Sequence, residues 1–463
     1  MATWRSSQAD LFVNSVGVAG SPTLVPKSEG NPAKEDSSCS RSEGLACCST
    51  LVPKLALVRL FRPRDFSSRT PSPMSVKFVH TADWQLGKPF AGVGDAHKRA
   101  LLQNERLAVI NRMGAEAKKQ GVSFLVVAGD LFDSPSATKA TVAAACSAIG
   151  AIGIPVFAIP GNHDHGGAGS LWEQEFFVRE REQLAPDFKI LLTAEPVELE
   201  DAVLFPCPLL RRHESADPTA WLRSADDRWT KFGDKPRIVV AHGSVQNFGS
   251  FSENEESDAG APNLIDLSRL TDDAFDYIAL GDWHGAKQVA GKAWYSGTPE
   301  LDRFVKGSDH NPGNILLVEA ARGKPPQVQC VSSSAIGWHE LEFNFADDTS
   351  LARLKELVDE RIGKRANQDL LQLHLGGSLG IEAATRLDQM LDAWNARVLR
   401  IKLDNKSFIA PTVSEVEGLT RRSGDPLISL VAAKLVSLAA GESDQAAVAR
   451  IALRELHAAC GSQ

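Results

Sequence analysis

Five short polar turns, each closing an apolar run, limit what this chain can fold into more than any other feature. The run Val156 to Ile159 ends in Pro160-Gly161-Asn162-His163-Asp164-His165. Asp83-Trp84-Gln85, Gly129-Asp130, Ala241-His242-Gly243 and Gly281-Asp282-Trp283-His284 close other runs of the same kind. A turn at the carboxyl end of a buried strand is where open α/β folds gather their functional groups. Asn, Asp and Gly are common turn formers, so one such tetrapeptide says little. Five of them, all rich in carboxylate, amide and imidazole groups, predict one site assembled from five strand ends.

The intervening segments fit that frame. Residues 76–81 read as a strand, followed by a helix over 98–120 with Leu101, Leu102, Leu107, Ala108, Ile110 and Met113 at helical period and Gly121 as its stop. A strand at 124–128, a helix at 137–149 and the strand at 156–159 complete a parallel βαβ pattern. Further strands are predicted at 190–192, 203–205, 238–241, 277–280 and 315–318. The expected class is α/β, a β-sandwich flanked by helices over residues 74–335. The pattern changes after Gly337: strands at 341–345, 370–375 and 398–403 alternate with helices at 351–362 and 383–395. They predict a smaller β-α-β-α-β domain over 336–410. Residues 411–463 hold two amphipathic helices, 426–439 and 445–459, whose apolar stripes must bury against their own chain or a partner.

Residues 1–73 are Ser-, Pro- and Gly-rich and lack periodicity, so a disordered N-terminal extension is expected, with Met74 as the natural start. Residues 253–262 read as an acidic surface loop or lid. At 463 residues the chain has room for two or three domains. Its net charge of −8 does not mark it as a nucleic-acid binder, so such a role would need local basic patches. Seven cysteines without paired spacing predict a reduced, cytoplasmic protein. The most apolar window, 142–160, is broken by Gly150, Gly153 and Pro155. It reads as a buried helix and strand, not a membrane span.

The turn residues carry a definite chemistry. Two closely spaced divalent ions need a bridging carboxylate and several further O or N donors, and together they activate water for in-line attack on phosphorus. Asp83, Asp130, Asn162, His242, Asp282 and His284 supply such a set, with Gln85 as a neutral donor. Without thiolates, this set suits Mn, Fe or Zn. His163, beside Asn162, is placed to protonate a leaving oxygen or hold a phosphate. His80, inside the first strand, reads as a satisfied core group.

The set Asp83-x-Gln85, Gly129-Asp130, Gly161-Asn162-His163-Asp164, His242-Gly243 and Gly281-Asp282-x-His284 resembles the calcineurin-like binuclear metallophosphoesterase superfamily. His80-Thr-Ala-Asp83-Trp-Gln-Leu-Gly87, Ala128-Gly-Asp130-Leu-Phe-Asp133, Tyr277-Ile-Ala-Leu-Gly281 and Ser296-Gly-Thr-Pro-Glu300 resemble, more narrowly, its SbcD-type DNA repair nucleases. The likeness covers residues 76–320 and places the later β-α-β-α-β unit as a capping domain. It implies one metal on Asp83, Asp130 and His284 and another on Asp130, Asn162 and His242, with Asp130 bridging and His163 at the scissile phosphate. Gln85 departs from the family's histidine, and Asp282 from the first histidine of Gly-His-x-His. The added carboxylate favours Mn²⁺.

The implied substrate is DNA. Lys88, Lys98, Arg99, Lys287, Lys292, Arg303 and Lys306 flank the motifs as a candidate phosphate-binding rim. Trp84 and Trp283 are candidates to stack on a base. No Walker A motif is present, so ATP-driven processing would need a separate SMC-type ATPase, and the C-terminal helices are its expected docking site. No membrane role is expected, and pairing with a second copy is open, as are exo- versus endonuclease action and strand preference. Two other classes stay in play: a phosphatase or small-molecule phosphodiesterase, and a scaffold whose site has decayed at Gln85 and Asp282.

Overall fold

The computed structural model describes residues 74–224, 229–246, 262–270, 273–305, 311–441 and 443–461. The expected extension at 1–73, the acidic loop up to residue 261 and Lys306 lie outside the described residues.

Eighteen strands and eight helices follow one another along the described residues. The strands are β1 (Ser75–Thr81), β2 (Phe124–Ala128), β3 (Val156–Ile159), β4 (Phe188–Ile190), β5 (Val197–Glu198), β6 (Val203–Cys207), β7 (Arg237–His242), β8 (Ser244–Val245), β9 (Leu264–Ile265), β10 (Tyr277–Gly281), β11 (Lys287–Ala290), β12 (Ala293–Tyr295), β13 (Asn314–Ala321), β14 (Gln327–Ser332), β15 (Gly337–Phe345), β16 (Asp369–Leu379), β17 (Arg400–Asn405) and β18 (Phe408–Ile409). The helices are α1 (Ala96–Gln120), α2 (Lys139–Ile152), α3 (Glu175–Leu184), α4 (Ser350–Ile362), α5 (Ile381–Arg397), α6 (Val413–Thr420), α7 (Pro426–Ala439) and α8 (Asp444–Gly461).

Two six-stranded sheets form a sandwich, in the orders β14-β13-β1-β2-β3-β4 and β11-β12-β10-β7-β6-β5. In the first, β1, β2, β3 and β4 run parallel while β13 and β14 are antiparallel additions. In the second, β6, β7, β10 and β12 run parallel. Period-two alternation sends Phe78, Val126, Leu204, Ile238, Val240, Tyr277, Ala279, Leu316 and Val318 into one core between the sheets. Phe78 stacks on Phe124 with ring centroids 5.2 Å apart. The outer face of the first sheet is covered by α1, α2 and α3 through Val109, Ile110, Met113, Val142, Ile149 and Phe177. The helix limits follow from their caps. The Asp95 side chain accepts from Lys98 N and Thr138 from Thr141 N, while Gly121 and Gly153 end α1 and α2 in the left-handed conformation. The strand predicted at 190–192 is centred two residues earlier, and that predicted at 398–403 begins at Arg400.

The third sheet, β15-β16-β17 with β18 beside β16, is parallel. Leu341, Leu371, Leu373 and Leu375 turn to α4 and α5 and form a separate core with Leu354, Val358 and Leu387. Alternation places Trp338, Glu340, Gln372, Arg400 and Lys402 on the opposite face. This sheet is anchored to α1: Lys98 Nζ donates to Asn395 O at 2.6 Å and Val398 O at 2.7 Å. Val93, Leu102, Ile336, Leu370 and Leu399 pack beside that junction. Lys98 is therefore held at the carbonyl end of α5 and is not part of a phosphate-binding rim. Helices α7 and α8 pack on Ile381 and Leu419 through Ala432, Ala439, Ala449 and Leu453. Their outer side leaves Leu427, Leu430, Val431, Leu438, Val448 and Ile451 exposed. Among the described residues no helix is long and apolar enough to cross a membrane.

Candidate active site

Because β1, β2 and β3 of one sheet run parallel, as do β7 and β10 of the other, their carboxyl ends can meet at one edge of the sandwich. The turns after them are stitched together through backbone: Asp83 N donates to Gly129 O (3.1 Å), Gln85 N to Asp130 O (2.9 Å) and Leu86 N to Leu131 O (2.9 Å). Asp83, Gln85 and Asp130 all take positive φ (54°, 43° and 54°), and Asp282 takes 104°. Such conformations persist where the surroundings over-determine them, which is common at functional sites. Close approach also explains two glycines. A Cβ on Gly129 would lie 2.2 Å from His242 Nδ1, and one on Gly161 would lie 2.2 Å from Asp130 Oδ1.

Asp83, Asp130 and His242 are buried and bring one ligand atom each within 4.8 Å of one another. His242 donates Nδ1–H to the Ala128 carbonyl at 2.8 Å, so the Nε2 lone pair faces the site. That atom lies 3.5 Å from Asp130 Oδ1 and 3.9 Å from Asp282 Oδ1. With the ring neutral these are acceptors facing an acceptor, an arrangement that calls for a proton or a metal ion between them. His242 Nε2 and Asn162 Oδ1 are both buried without a hydrogen-bond partner. Asp282 is fixed by Ser244 Oγ, which donates to its Oδ2 at 2.8 Å, while its own backbone N–H donates to Asp83 Oδ1 at 3.2 Å. Hard oxygen donors with one imidazole, two of them orphaned, fit a divalent metal.

The electrostatics agree. Burial alone would lower the His242 pKa, but the Asp130, Asp83 and Asp282 carboxylates overcome it and lift it to about 9. Burial raises Asp83 to about 7 against the opposing pull of His284 and His242. His80 is lowered to about 3 by burial; its ring lies against Tyr277 Oη (2.9 Å) and Leu280 O (3.2 Å), a neutral core group.

His163 sits on the rim, its side chain 35% exposed. Its backbone N–H donates to Asp130 Oδ1 (2.9 Å) and its Nδ1–H to Asp133 O (2.8 Å). Nε2 is thereby left toward the cavity, 4.0 Å from Asp130 Oδ2. Asp164 fixes this turn from below, accepting Phe132 N (2.9 Å) and Gly161 N (2.7 Å). Gln85 differs from expectation. Its oxygen accepts from Lys88 Nζ at 2.6 Å, and its amide nitrogen lies 3.2 Å from His284 Nε2, so neither atom is presented as a free metal ligand. His284 turns Nδ1 to Asp302 Oδ1 at 3.2 Å. Although burial opposes it, the hydrogen bond and charge of His284, with Arg106 and Lys88, hold Asp302 well below the usual carboxylate range.

Trp84 is corrected outright. It is 1% exposed, packs in the core beneath the turn and donates Nε1–H to Thr81 Oγ1 at 2.9 Å, so it cannot stack on a substrate base. Lys88 and Arg303 do line the cavity above the site, as does Trp283. Arg99 donates instead to Val93 O, and Lys292 to Phe275 O. Sequence reasoning missed Arg106. It is buried on α1 and donates to Trp84 O (2.7 Å), Asp83 O (3.2 Å), Thr298 Oγ1 (3.1 Å) and Glu300 O (3.1 Å). A signal existed: an arginine amid the apolar stripe of Leu102, Val109, Ile110 and Met113. It also missed the far wall. The cavity, about 1110 Å³, runs from Asp130, Asn162 and Asp282 to Trp338, Gln372, Arg400 and Lys402 of the third sheet.

Over residues 76–286, which hold all five turns, the chain matches the family model described as calcineurin-like phosphoesterase. This region is similar to calcineurin-like phosphoesterases. Such domains hydrolyse phosphoesters with metal ions, and the orphaned Asn162 and His242 atoms beside Asp130 fit that use. Several solved structures resemble the chain at low similarity. TT1561 of Thermus thermophilus shares 13% identity over 48% of this chain and 89% of its own, with a TM-score of 0.32. A Staphylococcus aureus protein described as a putative 5'-nucleotidase shares 12% over 56% of this chain and 54% of its own (TM-score 0.34). GAP50, described as the anchor in the inner membrane complex of Plasmodium, shares 12% over 56% of this chain and 85% of its own (TM-score 0.32). Likeness at this level carries no argument about activity.

Proposed function

We propose that the phosphoesterase domain cleaves phosphodiester bonds of DNA, in the manner of a repair nuclease, with Mn²⁺ as its preferred ion. The single observation that carries this reading is the lining of the cavity. A small phosphate ester needs only the end formed by Asp130, Asn162 and His163. The cavity continues past it, with Lys88, Arg303, Arg400 and Lys402 as cationic groups and Trp283, Phe304 and Trp338 as aromatic ones. Cations beside aromatic faces suit a polynucleotide, whose phosphates meet the former and whose bases stack on the latter.

When bound, the metal activates water and neutralises charge developing on phosphorus. The chain's own groups do the rest. Asp83, Asp130 and His242 bring their ligand atoms within 4.8 Å of one another, and Asp164 fixes the turn that carries Asn162 beside them. His163, its tautomer set by the Asp133 carbonyl, presents Nε2 to the cavity and can pass a proton to the leaving oxygen. Lys88 and Arg303 hold non-bridging oxygens. The exposed apolar residues of α7 and α8 are the surface on which an SMC-type ATPase partner would dock, and a cytoplasmic setting goes with this reading.

The test uses the full chain, stripped of metal and resupplied with Mn²⁺, Mg²⁺ or Zn²⁺, on labelled single- and double-stranded DNA and on bis-p-nitrophenyl phosphate. Mn²⁺-dependent DNA cleavage, lost in Asp130→Ala, is expected. Turnover of the small ester with DNA left intact would replace the nuclease by a small-molecule phosphodiesterase.

A further inference from the structure

The two sides of Asp130 are built differently. On one side Asn162 Oδ1 and His242 Nε2 are buried with no partner, and Asp282 Oδ1 lies near. On the other, Asp83 remains available, but Gln85 and His284 are already engaged. The Lys88 ammonium can only donate, so the Gln85 amide turns its oxygen to Nζ at 2.6 Å. The amide NH₂ is thereby aimed at His284, 3.2 Å from Nε2. The other ring nitrogen lies 3.2 Å from Asp302 Oδ1 and 3.1 Å from Arg303 Nη2, so both nitrogens of the ring are covered. Beyond the Asp83 and Asp130 carboxylates, a second ion on this side would need the Gln85 oxygen and a lone pair from His284. The first is bound to Lys88, the second is covered, and an N–H donor points where a metal ligand should be. Lys88 itself brings a positive charge, 3.1 Å from Asp302 Oδ2 and 3.4 Å from Asp133 Oδ1, on the cavity wall.

We propose that this domain works with one divalent ion, held on the Asn162–His242 side of Asp130, and that the Lys88 ammonium supplies the second positive charge to the substrate phosphate. The residues fit one ion and do not fit two. Histidine at position 85 would offer a lone pair to a second ion; glutamine, oriented by Lys88, offers a hydrogen. The proposal rests on the phosphoesterase reading but not on DNA as the substrate.

The test counts metal in the full chain. After stripping, saturation with Mn²⁺ and desalting, the protein should retain one equivalent, with the electron paramagnetic resonance spectrum of an isolated ion. Gln85→His combined with Lys88→Met should retain two, with the spectrum of a coupled pair. Lys88→Ala should keep its circular dichroism spectrum, while kcat on bis-p-nitrophenyl phosphate falls about 10²-fold, as for loss of one transition-state charge partner, and Lys88→Arg recovers part of it. Two equivalents with a coupled spectrum in the unaltered protein would overturn the proposal, as would Lys88→Ala turning over normally. Retention of no metal would overturn both this proposal and the metal-dependent phosphoesterase reading. One equivalent with intact DNA would remove only the nuclease.

Discussion

His242 donates Nδ1–H to the carbonyl oxygen of Ala128 at 2.8 Å, and this bond decides which ring nitrogen faces Asp130. The ring is buried, so it cannot turn to water for the same purpose. Nε2 is committed to the site before any ion arrives, carrying a proton that faces carboxylate oxygens and that an ion would replace.

Metal uptake should therefore displace protons. Without metal, His242 is raised to about 9 and Asp83 to about 7, both above their ordinary values. Raised groups contribute stability that is whole below the unfolded pKa and is lost as pH climbs through the folded one. For Asp83 the loss runs from about 4 to about 7, and for His242 from about 6.5 to about 9. The ion takes the place of those protons, so the rise in melting midpoint on adding Mn²⁺ should grow from about pH 6 to about pH 9. Titration calorimetry in buffers of different ionisation enthalpy should show proton release. A pH-independent gain would contradict this account.

His163→Ala should lower turnover of bis-p-nitrophenyl phosphate by about 10²- to 10⁴-fold, the range for loss of a general acid. Its ring donates only to the Asp133 carbonyl and is part-exposed, so the urea midpoint should barely move. A matching fall in stability would mean that the residue is structural.

The tryptophans should separate. Trp84→Ala removes a buried ring from the core and should cost about 3–5 kcal/mol of stability, whereas Trp84→Phe should leave KM for DNA unchanged. Trp338, edge-on to Phe304 at 4.9 Å on the cavity wall, should show the reverse. Its replacement by Ala should raise KM for DNA with little effect on the small ester. Chemical denaturation and steady-state kinetics on the two substrates decide between these outcomes.

If DNA lies along the cavity, Arg400→Ala with Lys402→Ala should weaken DNA binding at every sequence. The slope of log affinity against log salt should flatten by about 1 for each phosphate that no longer meets a cation. Hydrolysis of bis-p-nitrophenyl phosphate should be unchanged. Fluorescence anisotropy at several salt concentrations measures the first, and an unaltered slope would remove the third sheet from the substrate path.

The order of strands and the five turns could be read from sequence because each turn follows a short apolar run, and parallel pairing forces the ends of such runs to one edge. Asp83, Asp130, Asn162, His242 and Asp282 were legible for that reason. Gln85 was legible as a departure but not in its orientation, which depends on Lys88 and on His284, remote in sequence. Trp84 could not be placed, since a motif fixes which residue neighbours a ligand and not which side of the turn it occupies. Arg400 and Lys402 were invisible, because their facing the cavity follows from the docking of Lys98 and Leu102 against the third sheet.

Arg106 has a consequence for the order in which this protein comes into being. Its guanidinium joins the Asp83–Trp84 turn to Thr298 and to Glu300, 194 residues farther along the chain. While the polypeptide is still leaving the ribosome, Arg106 has only the near half of its partners. The turn carrying Asp83 locks when the Thr298–Glu300 stretch emerges, after every other strand-end group of the site has been made. A nascent or prematurely halted chain thus lacks half of the contacts that hold Arg106, and with it the Asp83–Trp84 turn, in place.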